Sequence, residues 1–172
     1  MLRLTYRNIN RKDTMNVSEK EFEQIVKEHK GTIYTVCYMF SDNADEVADL
    51  FQETLVNIWN GLPRFDGRSD IKTWIYRVAL NTCISADRKK KTRRGSNAPG
   101  VNLFEGNEHG DGQIEMLHKR ITRLQPFDRA IVLLWLEDMS YEEIGAVVGI
   151  TAKNVSVRLF RIREKLKSMS DN

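Results

Sequence analysis

The sequence predicts an all-α protein of two small helical domains, a helical bundle and a helix-turn-helix unit, joined by a flexible linker. Three observations carry this reading. Apolar residues recur at three- and four-residue spacing, and no stretch alternates as a strand would. One glycine-rich polar segment interrupts that periodicity. The 172 residues suit one domain or two small ones. The expected boundaries are a tail at 1–17, a first domain at 18–92, a linker at 93–112, a second domain at 113–168 and a tail at 169–172.

The opening MLRLTYRNINRKDTMNVSEK has basic residues but no apolar centre, so it does not read as a secretory leader. Met15 offers a second candidate start. Ser18 and Glu21 form a capping box. Phe22, Ile25 and Val26 then share a helix face, and Ile33, Val36, Cys37 and Phe40 extend the pattern past Gly31. The stretch SDNADE supplies caps for a second helix with a stripe of Val47, Leu50, Phe51, Thr54, Leu55 and Ile58. Gly61 and Pro63 end it. Asp70 caps a long third helix whose inner face holds Ile71, Trp74, Ile75, Val78, Ala79 and Thr82.

Gly95, Gly100, Gly106, Gly110 and Gly112, with Pro99 and Ser96, mark the linker. It is long for a loop inside a compact domain. Leu103 and Phe104 interrupt it as candidates for docking on a partner. Beyond it, Ile114, Leu117, Ile121 and Leu124 define the next helix. Pro126 opens another, with Ile131, Leu134 and Trp135 as its apolar surface.

Ser140 and Glu143 form a second capping box, and Ile144, Val147 and Val148 face inward from the short helix it starts. Gly149 supplies a tight turn. Thr151 caps a last helix with Val155, Leu159, Ile162 and Leu166 on one face. Lys153, Asn154, Val157 and Arg161 point outward, with Arg158 at the flank and Phe160 away from the apolar stripe. Two readings fit this pattern. One is a helix-turn-helix whose second helix enters the major groove. The other is a basic amphipathic helix lying over a small core, its arginines solvated.

Net charge is +3, with an isoelectric point near 8.9. Its distribution is more telling. Residues 1–87 carry 11 basic and 13 acidic side chains, whereas RKKKTRR at 88–94 has six positive charges in seven positions. Residues 151–167 add six positive charges against one negative. An acidic-leaning half with two basic patches argues for surfaces with different tasks. No run of about 18 apolar residues exists for a membrane span. Cys37 and Cys83 read as buried free thiols in a reducing cytoplasm. His29, His109 and His118 form no ligand motif, so neither a metal nor a cofactor is expected. No nucleophile–base pair or phosphate loop appears, which argues against an enzyme.

DEVADLFQETLVNIWNGLPRFDGRSDIKTWIYRVALNTCISADRKK resembles region 2 of the extracytoplasmic-function (ECF) sigma factors of the sigma-70 family. QPFDRAIVLLWLEDMSYEEIGAVVGITAKNVSVRLFRIREKLK resembles their region 4. With the helix opening near Ser18, the resemblance covers nearly all of 18–168. It implies a factor without a catalytic site that joins the RNA polymerase core and opens promoter DNA. Region 2 would grip the clamp helices of the largest catalytic subunit and read the −10 element. Region 4 would contact the flap of the other large subunit and read the −35 element. An anti-sigma factor is the silencing partner the resemblance implies.

Residue by residue, Asp49, Gln52 and Glu53 match the core-contact signature DLxQE. The loop Arg64–Asp70 matches the loop that captures an unstacked −10 base, with Phe65 as its anchor. Arg64, Arg68, Asn81, Arg88, Lys89 and Lys90 become −10 DNA contacts. Trp74 and Tyr76 become stacking residues, although Trp74 also fits the apolar stripe. Lys153, Asn154, Val157, Arg158 and Arg161 become −35 contacts. The chain departs from the family at Ser85, where relatives carry Asp, and at Ser156 and Val157, where many carry Lys and Ser.

Overall fold

The computed structural model describes residues 19–94 and 112–169. Residues 1–18, with Ser18, most of the expected linker, with Leu103, Phe104 and His109, and residues 170–172 fall outside that range, as does the side chain of Ile114. The described residues are all-α. Helices α1 (Glu19–Tyr38), α2 (Ala44–Gly61) and α3 (Ile71–Arg94) form one unit, with a short 3-10 turn at Leu62–Arg64 after α2. Helices α4 (Gly112–Thr122), α5 (Pro126–Leu136), α6 (Tyr141–Val148) and α7 (Ala152–Ser168) form the other.

Helix α1 runs unbroken through Gly31 and buries Ile25, Ile33, Val36 and Cys37. Asn43 caps α2, its side chain accepting the Glu46 N–H at 2.9 Å. Thr54 is fully buried in α2 and satisfies its hydroxyl by donating to the Leu50 carbonyl at 2.7 Å. Gly61 ends the helix where the Trp74 ring comes close. A Cβ there would lie 3.0 Å from the ring. Asp70 caps α3 as expected, accepting the Lys72 N–H at 2.9 Å.

Helix α3 differs from the single inner face read from its sequence. Tyr76, Leu80 and Cys83 are buried along with Ile75, Ala79 and Thr82. The cause is two-sided packing: α1 and α2 cover one side of α3, and α5 and α6 approach another. Helix α5 is enclosed in the same way, with Ala130, Ile131, Val132, Leu133 and Leu134 buried in succession. A helix apolar on every side belongs in an interior. Each unit alone would have a small core. Packed together, their buried residues form one continuous cluster.

Polar contacts stitch this junction. Tyr76 donates its hydroxyl proton to Glu137 Oε2 at 2.9 Å. Arg77 donates from Nε to the Ala146 carbonyl at 3.0 Å. His118 donates from Nε2 to the Tyr38 carbonyl at 2.9 Å and stacks on the Tyr38 ring at 4.1 Å. Arg129 lies over the Phe40 ring at 5.7 Å and donates to the Leu124 carbonyl at 2.9 Å. Burial pulls the Arg129 guanidinium below its ordinary pKa, and Asp87 and Asp42 oppose that shift.

Two apolar assignments are corrected here. In α4 the buried residues are His118 and Ile121, with Leu124 buried just past the helix end, while Leu117 is exposed. The helix is turned so that the imidazole, not the leucine, meets α1. Trp135 is also partly exposed, with the Arg163 guanidinium 5.6 Å above its ring. The crowded side of α5 is already filled by the five residues before it.

The last two helices follow their caps. Ser140 accepts the Glu143 N–H at 3.2 Å, and the Glu143 carboxylate accepts the Ser140 N–H at 2.8 Å. Gly149 takes the left-handed conformation with φ 79° that ends α6. Gly145 is required by contact: a Cβ would stand 2.5 Å from the Ile150 carbonyl oxygen. Thr151 caps α7, accepting the Asn154 N–H at 3.3 Å. Val155, Leu159 and Ile162 fill the core beneath.

Candidate nucleic-acid interface

The loop between α2 and α3 is built around two rings. Phe65 and Trp74 sit 5.2 Å apart at a tilt of 43°. Both are half-buried, so Trp74 supports the loop from α3 rather than filling the core. Gly67, with φ 70°, lets the chain reverse. Asp66 then accepts the Arg68 N–H at 3.2 Å and pairs with Arg68 Nε at 2.7 Å. A cavity of about 360 Å³ opens here, lined by Arg64, Phe65, Asp66, Arg68, Ser69, Trp74 and Arg77. Its volume is at the small end of ligand pockets. Three arginine side chains and one carboxylate line it, and two aromatic rings supply apolar walls. That combination suits a planar, anionic ligand such as a nucleotide in a single strand.

Tyr76 is not part of this stacking surface. It is 1% exposed and its hydroxyl is given to Glu137. Burial, then the Glu137 carboxylate, holds its phenol proton well above the usual tyrosine range.

Further along α3, Asn81, Ser85 and Arg88 are exposed at helical spacing on one face, with Lys89 beside them. The basic cluster divides. Lys90 turns to α2 and pairs with Glu46 at 2.6 Å. Lys91 pairs with Asp87 at 3.0 Å. Exposed pairs of this kind contribute roughly 0–1 kcal/mol, too little to keep a lysine from a phosphate.

On α7, Lys153, Asn154, Ser156, Val157 and Arg161 are exposed together. Phe160 is 68% exposed beside them. Arg158 is held more firmly: it pairs with Asp128 at 3.2 Å and lies over the Phe127 ring at 4.7 Å. Asn and Arg can bond purine edges in pairs, and Val can meet a thymine methyl.

A third face lies on α2. Asp49, Gln52 and Glu53 are exposed, followed at helical spacing by Val56 and Trp59. Trp59 is not core: it is 39% exposed and meets Phe22 edge-on at 4.9 Å. Periodicity already excluded Val56 from the buried stripe, which was the available signal for it. An acidic patch continuing into uncovered apolar groups has the make-up of a protein-binding surface. Among the described residues no group of acidic, His or Cys side chains could hold a metal, and no helix is long and apolar enough to cross a membrane.

Two basic helical surfaces and an exposed acidic and apolar face on α2 thus lie on one all-α fold. Comparison with known proteins specifies the class. Residues 25–93 match the Sigma-70 region 2 family and residues 114–166 match Sigma-70, region 4. The chain is 28% identical over 162 residues to the ECF RNA polymerase sigma factor SigW of Bacillus subtilis, spanning 85% of this chain and 87% of that protein. It is 27% identical over 165 residues to the RNA polymerase sigma-H factor of Pseudomonas aeruginosa, spanning 86% and 85%. In fold it is similar to the sigma factor RpoE from Bartonella quintana, solved in complex with the anti-sigma factor NepR. That match has a TM-score of 0.70 and 24% identity, covering 86% of this chain and 95% of that one. CnrH, solved with the cytosolic domain of CnrY, matches with a TM-score of 0.65 and 23% identity over 88% of each chain. The chain belongs to the sigma-70 family and is a sigma factor of its ECF group. Its class is that of transcription initiation factors.

Proposed function

We propose that this sigma factor binds the RNA polymerase core through the α2 face, reads the −10 element with the α2–α3 loop and α3, and reads the −35 element with α7. The carrying observation is that loop 64–70 and the start of α3 form a cavity lined by two aromatic side chains and three arginines. A sigma factor has no fuel for opening DNA. A pocket that holds an unstacked base offsets the energy of opening the duplex. Arg88 and Lys89 extend this attraction along the strand, and Lys90 joins them by exchanging Glu46 for a phosphate.

Asp49, Gln52 and Glu53 contact the clamp helices of the largest catalytic subunit, whose basic side chains oppose them. The region-4 unit contacts the flap of the other large subunit. Lys153, Asn154, Val157, Arg158 and Arg161 meet the −35 duplex. An anti-sigma factor is the regulatory partner, supported by the similar fold solved with the anti-sigma factor NepR. The protein works in the cytoplasm, where polymerase is.

Co-purification with core polymerase of its own organism tests the first step. A stable complex that then binds promoter DNA is expected. Promoter binding by the free chain with no affinity for core would instead make it an autonomous DNA-binding regulator.

A further inference from the structure

Arg77 serves two places at once. Its side chain lines the cavity beside loop 64–70. Its guanidinium also donates to the Ala146 carbonyl, from Nε at 3.0 Å and from Nη2. Ala146 lies in the last turn of α6, where carbonyls lack partners within the helix. The neighbouring Gly145 carbonyl is satisfied by the N–H groups of Gly149 and Ile150. Arg77 therefore caps α6 from the other unit, its charge against the negative end of the helix dipole.

A guanidinium committed to that carbonyl is not turned onto a ligand in the cavity. A phosphate competes well for it. Charge-assisted bonds are roughly twice as strong as bonds between neutral groups, and Arg meets phosphate through two parallel donors. Water can replace Arg77 at Ala146, which is exposed.

We propose that Arg77 couples the pocket to the closure of the molecule. In the closed chain it caps α6 and is withheld from the cavity. A single DNA strand in the cavity takes the guanidinium through a phosphate and releases the helix-turn-helix unit from α3. This rests on the reading of loop 64–70 as a single-strand pocket. The other closing contacts, Tyr76 to Glu137, His118 to Tyr38 and Arg129 to Phe40, lie outside the cavity lining. Closure can therefore be loosened without altering the pocket.

The test uses the full chain, a short fluorescent single-stranded DNA pool of random sequence, and small-angle scattering to follow opening. Glu137→Ala should expand the molecule and tighten strand binding, by about fourfold if one wild-type chain in ten is open, with about tenfold as the limit when every chain is open. Arg77→Ala should expand it equally yet bind no tighter than wild type, and the double variant should match Arg77→Ala. Arg77→Gln, which keeps much of the side-chain stem, repeats the test should the alanine variant lose helicity. Strand binding by Arg77→Ala as tight as by Glu137→Ala would reduce Arg77 to a clasp and overturn the coupling. So would expansion of Glu137→Ala without tighter binding, or no expansion in either variant. Phe65→Ala and Arg68→Ala separate the two ideas. Unchanged strand binding in both would sink the pocket itself, whereas weakened binding there with no Arg77 effect sinks only the coupling.

Discussion

Tyr76 and Glu137 meet across the junction of the two helical units, hydroxyl to carboxylate at 2.9 Å, 61 positions apart in the chain. Tyr76 is buried and Glu137 is solvent-facing, so one bond joins the core of the first unit to the rim of the second. Tyr76→Phe keeps the ring and removes the bond. It should lower stability by about 1 kcal/mol, read as a urea midpoint shift with unchanged slope. The phenol pKa is raised in the folded state. Its stabilisation is therefore complete below the unfolded value near 10 and declines as pH rises above it. Tyr76→Phe should remove that part of the alkaline decline.

The capping box of α6 predicts the opposite pH trend. The Ser140 N–H donates to the Glu143 carboxylate and holds its pKa below the ordinary value. The stabilisation is present above the unfolded value and lost as pH falls through the folded one. Ser140→Ala should lower stability by about 1 kcal/mol at neutral pH. Thermal melts of Glu143→Gln should converge with wild type in acid.

Charge reversal of α2 tests the core-binding face. Asp49→Lys with Glu53→Lys alters only exposed side chains, so helicity by circular dichroism should be unchanged. Affinity for core polymerase should fall about tenfold or more, mainly through slower association. Unchanged affinity would move the interface off α2.

The arginines of α7 should separate. Arg161→Ala should weaken −35 duplex binding and reduce the salt slope by about one phosphate contact. Arg158→Ala should also lower stability, because it removes the Asp128 pair and the Phe127 contact. Equal salt slopes in wild type and both variants would exclude a phosphate role for either residue.

Local signals explain how much was legible beforehand. The Ser140–Glu143 box, the Gly149 turn and the Thr151 cap all act within a few residues, and helix spacing alone exposes Lys153, Val157 and Arg161. The junction is different. The Arg77–Ala146 contact spans 69 positions and the His118–Tyr38 contact spans 80, so no periodicity encodes either. Two-sided burial also blurred the stripe of α3 and hid Tyr76 in it. The turn of α4 that buries His118 in place of Leu117 follows from what α1 offers: a carbonyl and a tyrosine face. The division of the lysine cluster depends on Glu46, 44 residues from Lys90.

The most direct test of the promoter-reading role is transcription in vitro. Core polymerase from the same organism, supplied with this protein, would be run on genomic DNA and every start mapped. Starts should appear only when the protein is added, with two shared sequence elements at constant spacing upstream. The upstream element should lose its effect in Arg161→Ala, and the downstream one in Phe65→Ala with Arg68→Ala. Starts that appear without the protein, or that share no such pair of elements, would contradict it.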